Sequence, residues 1–210
     1  RFSVTGTVSS STLVGGSGAD LLTFNNKVEG ASIAGASDGG TADTANDTIV
    51  FSAAANANSI SLAEGDDSLS LNRGLTGSTV VAAGGNDTVV AALTVAGSSI
   101  AAGAGADSLS ISVLSNSTIT GASGADTITI ASNLLTAKVY GNQGADSVLV
   151  GGAATSGSIY GGKGNDVLSV AGNVIGGNVE GNSGADTITV AGTVSAGLVA
   201  GGKGNDTISL

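Results

Sequence analysis

Ten aspartates stand in file along this 210-residue chain: Asp20, Asp47, Asp67, Asp87, Asp107, Asp126, Asp146, Asp166, Asp186 and Asp206. Their spacings are 27, then 20, 20, 20, 19, 20, 20, 20 and 20 residues, so nearly the whole sequence is one tandem array. Most close a glycine-rich turn, as in GNQGAD at 141–146, GGKGND at 161–166 and GNSGAD at 181–186. Carboxylates and turn carbonyls supply oxygen donors only, the set that suits a hard cation such as Ca²⁺. With no His and no Cys in the chain, the usual ligands of zinc and most transition metals are missing.

The charge balance points the same way. Of 16 acidic residues, ten belong to the file, and the other six match the six Lys and Arg residues, so the net charge of -10 equals the file itself. If units of this period stack as coils about 4.8 Å apart, neighbouring carboxylates repel by roughly 1 kcal/mol in water and by several at a lower effective dielectric. Two arrangements relieve that strain. One is a single row of Ca²⁺ ions between successive coils, and the other is an Asx-type turn in which each carboxylate accepts N–H groups of its own turn.

A file of this kind requires elements that repeat in register. Two and four residues after each Asp stand aliphatic or aromatic side chains, as in Leu22 and Phe24, Ile128 and Ile130, or Ile188 and Val190, with Ser or Thr commonly between them. This period-two alternation predicts a half-buried strand. Apolar residues recur eight and thirteen positions after the Asp (Val28 and Ile33, Val174 and Val179), which centres a second strand on the last column. In the nineteen-residue unit Leu114 and Ile119 come one place early, which predicts that the missing residue falls in a turn. Repetition at about 20 residues with 36 Gly, no Pro and 2% aromatics predicts an all-β fold, a parallel β-solenoid of about ten coils. Its hand is expected to be right, as parallel crossovers prefer.

The turn segments resemble the GGxGxDxUx nonapeptide of the repeats-in-toxin (RTX) family, whose glycine turns bind Ca²⁺. Here the opposite turn, for example Ala191–Gly197, carries no acidic residue, so at most one ion row fits. That one-sided pattern is more similar to the 19–20-residue Ca²⁺-dependent repeats of bacterial surface and ice-binding adhesins, and Gly162–Val179 matches them well. The resemblance implies a Ca²⁺-binding solenoid with the ten aspartates as metal ligands. In the Asp47 unit it departs from the motif, with Ala45 where Gly is expected.

Residues 1–210 form a single repeat domain, expected to be a segment of a longer array, with a polar insertion over 36–45 that should protrude as a loop. Enzymatic function is disfavoured, because Ser and Thr have no base to activate them and a catalytic carboxylate pair should interrupt the repeat instead of defining it. A pI near 4.1 opposes nucleic-acid binding, and no apolar run is long enough to span a membrane. The expected role is an extracellular, secreted scaffold at the cell surface, partnered end to end by neighbouring copies or further repeats, with possible glycan or cell-surface contact. Ice binding is one alternative, weakened by the uneven column Ser17, Glu64, Ala104, Ser123, Gln143, Lys163, Ser183 and Lys203; a metal-independent filament is another. Tyr140 and Tyr160, one unit apart beside Lys138, form either a plain stacked pair or a sticky patch for a glycan or a neighbouring rod.

Overall fold

A computed structural model describes residues 1–36 and 43–210 of the chain. Every strand pairing within them is parallel and links one coil to the next, and no helix occurs among the described residues. One coil illustrates the rest: a first strand Ser147–Val150, a two-residue strand Ala154–Thr155, and a return strand Ser158–Lys163. Partners sit twenty residues apart, as in Val148 with Leu168, Ala154 with Val174 and Ile159 with Val179. Ten return strands make one sheet, in order along the rod, and the first and short strands make the facing one.

The four apolar columns face each other between these sheets. Leu69, Leu71, Leu75 and Val80 of one coil are fully buried, as are Ile128, Ile130, Leu134 and Val139 of another. A fifth inward column holds Leu62, Ala82 and Ala102 five places before Asp67, Asp87 and Asp107, and glycine five places before Asp20 and before each Asp from Asp126 on. The core is therefore narrow and continuous, built from side chains that lie over their counterparts. Phe24 stacks on Phe51 inside it, with ring centroids 4.9 Å apart.

Two features follow from the irregular intervals. The 27-residue interval keeps registry, since Leu22 pairs with Ile49 and Phe24 with Phe51 across it. Most of the predicted 36–45 loop, residues 37–42, lies outside the described residues; Asp43 beyond it accepts the Gly18 N–H at 2.9 Å. The single deletion does not fall in a turn. Its coil runs as one unbroken strand, Ser108–Ser115, beside Thr88–Ala96, and the register jumps between Ala91 and Thr94, so the longer strand bulges to absorb the extra residue. Bulging on an exposed face leaves both buried columns aligned and is less disruptive than shifting them.

Candidate metal centre: a buried aspartate ladder

All ten aspartates occupy one file, immediately before the first strand of each coil. They do not form an outer acidic edge. Asp126, Asp146, Asp166 and Asp186 are each 1% exposed, and Asp47, Asp67, Asp87 and Asp107 are equally enclosed. The cause lies in the backbone. At this corner each Asp N–H points along the rod axis, and the carboxylate of the following coil turns inward to accept it. Nine such bonds, 2.6 to 3.0 Å long, join Asp20 to Asp206 without a break. The acceptor thus serves the preceding coil and not its own turn, as the Asx arrangement would have it.

Only Oδ1 is used. The Oδ2 atoms of Asp67, Asp87, Asp107, Asp126, Asp146, Asp166 and Asp186 are buried with no hydrogen-bond partner. A desolvated, unpaired carboxylate oxygen is costly. Burial accordingly pushes the carboxyl groups up from their ordinary value of 3.8: Asp67 to about 7, and Asp87, Asp126 and Asp166 to about 6. Asp47, Asp107 and Asp146 shift the same way. The donated N–H opposes the rise, while neighbouring carboxylates such as Asp146 and Asp186 around Asp166 add to it.

The glycines of the turn shape this site for two separate reasons. Five places before the Asp, a Cβ on Gly121, Gly141, Gly161 or Gly181 would overlap Oδ2 of Asp126, Asp146, Asp166 or Asp186. The same space is bounded by the carbonyl oxygen of the next coil's glycine: Gly141, Gly161, Gly181 or Gly201. Two places before the Asp, Gly144, Gly164 and Gly184 have φ of +136°, +129° and +147°, and a Cβ there would strike the backbone of the preceding coil. Ala45, the exception in this column, follows the insertion and does not adopt positive φ.

These residues fit a hard cation. At Asp126, Asp146, Asp166 and Asp186 the orphaned carboxylate oxygens face glycine carbonyl oxygens across space that glycine leaves open, whereas Leu62, Ala82 and Ala102 stand at that place before Asp67, Asp87 and Asp107; every donor is oxygen. Among the described residues no three acidic side chains converge, so a cation would meet at most one or two carboxylates, with backbone oxygens completing its shell.

Two further ladders escaped sequence reasoning. On the corner between the short and return strands, Asn58, Ser78, Ser98 and Ser117 are buried, and each accepts the N–H of its counterpart one coil back, at 2.9 to 3.1 Å. Just outside the aspartates, Asn46, Asp66, Asn86 and Asn165 accept N–H groups from the following coil, so this ladder runs the opposite way. The available signal was the twenty-residue recurrence of small acceptor side chains at those positions.

Fold and site together define a β-solenoid repeat protein with a carboxylate ladder in glycine turns. Residues 157–172 and 195–209, which contain Asp166 and Asp206, match the RTX calcium-binding nonapeptide repeat. Over its whole length the chain is similar to a solved structure from an Antarctic bacterium, described as a hyperactive, Ca²⁺-dependent, β-helical antifreeze protein. The TM-score is 0.69 at 25% identity, covering 98% of this chain and 77% of that one. Comparison with curated protein sequences gave no match.

Proposed function

We propose that this chain is a Ca²⁺-stiffened extracellular rod that serves as a structural or adhesive scaffold, with one row of ions held along Asp20, Asp47, Asp67, Asp87, Asp107, Asp126, Asp146, Asp166, Asp186 and Asp206. The observation that carries this reading is the file of seven buried Oδ2 atoms that no protein donor satisfies. A divalent cation supplies what the fold withholds, and by mass action it favours the folded rod. Millimolar extracellular Ca²⁺ then keeps the array ordered. The calcium-binding repeat matched at 157–172 and 195–209 supports the same ion.

Circular dichroism with and without EGTA tests it. Loss of strand signal or of heat resistance on chelation is expected. An unchanged spectrum and melting temperature, together with filaments under negative stain, would favour a metal-independent fibre.

Ice binding is a second reading, favoured by the likeness to an antifreeze protein. The turn column from Ser17 to Lys203 mixes Ser, Glu, Ala, Gln and Lys, an irregular template for ordered water. Thermal hysteresis decides it: a measurable gap between melting and freezing points supports ice adsorption, and none removes it.

A further inference from the structure

The surface of the return-strand sheet is plain along most of its length and changes character at one place. One of its outward columns reads Val14, Ala34, Ser61, Val81, Ala101 and Thr120, then Tyr140, Tyr160 and Glu180, and ends on Ala200. Tyr140 and Tyr160 are the only tyrosines in the chain; their rings stack with centroids 5.1 Å apart and planes 12° from parallel. Both are half-buried, and the ring faces they share are turned to each other.

Two residues further along the same strands the surface is notched. The column Asn142, Gly162, Asn182 has side chains at its ends and none in the middle. Asn142 and Asn182 are two coils apart, about 10 Å, and the backbone of Gly162, at φ +120°, floors the gap between them. Gln143, Lys163 and Ser183 line its far side, and the groove, which opens widely to solvent and is lined by neither tyrosine, has a volume of about 550 Å³. Next to it Glu180 is fixed by the Asn178 Nδ2–H at 3.0 Å.

The local chemistry differs from that of the rest of the rod. In a protein of net charge -10, this patch carries Lys138, Lys163 and Glu180 and is close to neutral. Its polar groups are carboxamides, a hydroxyl and an ammonium, each suited to hydroxyl groups of a ligand. The stacked aromatic pair supplies an apolar ridge against which the C–H groups of a pyranose ring can pack.

We propose that the groove of Asn142, Gly162 and Asn182, with the Tyr140–Tyr160 ridge beside it, is a binding site for a neutral oligosaccharide. One ring packs against the tyrosine ridge, and its neighbour enters the notch over Gly162, where Asn142, Asn182 and Lys163 meet its hydroxyls. The groove is lined by residues of the same glycine turns that lead into Asp146, Asp166 and Asp186, so binding is measured with Ca²⁺ present.

Saturation-transfer difference NMR of the full chain in Ca²⁺-containing buffer provides the test, with cellotetraose and chitotetraose as neutral probes and tetragalacturonate as an acidic one. Transfer to at least one neutral probe is expected, with affinity reduced about 3- to 10-fold in Tyr160→Ala, the loss of one aromatic contact, and further in Tyr140→Ala/Tyr160→Ala. Asn142→Ala and Asn182→Ala should weaken binding while leaving the circular dichroism unchanged, because Ala83 and Ala122 hold the same positive-φ position in other coils. No transfer to either neutral probe overturns the proposal, as does binding that is indifferent to both tyrosines. Selective binding of tetragalacturonate overturns it too, by assigning the patch to the lysines.

Discussion

The backbone N–H of Asp146 donates to Oδ1 of Asp166, one coil further on, at 2.9 Å, and Oδ2 of the same Asp166 carboxylate has no donor at all. One oxygen thus ties the coils together and the other remains for a ligand. The two functions of the ladder separate by mutation.

Asp166→Asn retains an acceptor for the Asp146 N–H and replaces the orphaned oxygen by an amide that faces the Gly181 carbonyl. Without Ca²⁺ it should melt higher than the parent, because a desolvated charge is gone. With Ca²⁺ it should gain less from the ion than the parent does. Asp166→Ala instead strands the N–H and should lose about 1–3 kcal/mol with or without the ion. Thermal melts in EGTA and in CaCl₂ separate the three proteins.

The neutral ladder at the other corner serves as a control. Ser98→Ala removes the acceptor of the Ser78 N–H, 3.1 Å away, and should cost about 1–3 kcal/mol. Since no charge is involved, denaturant titrations should give the same loss in EGTA and in CaCl₂.

Gly164→Ala places a Cβ against the preceding coil at φ +129°. Backbone strain alone should cost about 1–3 kcal/mol, and the steric overlap adds to it. Gly6→Ala, where an added Cβ meets nothing within 4 Å, should change stability by about 0.5 kcal/mol or less. Chemical denaturation of the two variants side by side checks the contrast.

Metal-free and Ca²⁺-loaded rods should respond to pH in opposite directions. Asp67 titrates at about 7 and Asp87, Asp126 and Asp166 at about 6 when folded, against 3.8 for an ordinary aspartate. Between those values the folded chain holds more protons than the unfolded chain, so stability in EGTA falls as pH rises from about 4 to about 7. In CaCl₂ the ion competes with protons for the same carboxylates, and its stabilisation should grow over that window. Melting temperatures at pH 5 and pH 8 in both buffers reveal the crossing.

Much of this molecule was legible from spacing alone. A fixed interval identifies equivalent residues, and stacking does the rest, so the columns through Leu22, Phe24, Val28 and Ile33 and the registry of Asp146, Asp166 and Asp186 follow directly. The direction of a side chain at a corner was not legible. Whether Asp166 faces solvent or the core depends on which backbone N–H lacks a partner there, and that depends on the neighbouring coil. Ser78 and Ser98 were obscured for the same reason, since a small polar residue in a turn looks like surface until a stranded N–H is found beside it. The deletion near Leu114 was misplaced because sequence cannot separate a shortened turn from a bulge in the adjacent strand.

Anomalous diffraction from crystals grown in CaCl₂ tests the central claim most directly. The account predicts a straight file of anomalous peaks at coil spacing beside Oδ2 of Asp67, Asp87, Asp107, Asp126, Asp146, Asp166 and Asp186. A map with no peaks along the ladder, those oxygens being protonated or hydrogen-bonded instead, would contradict it.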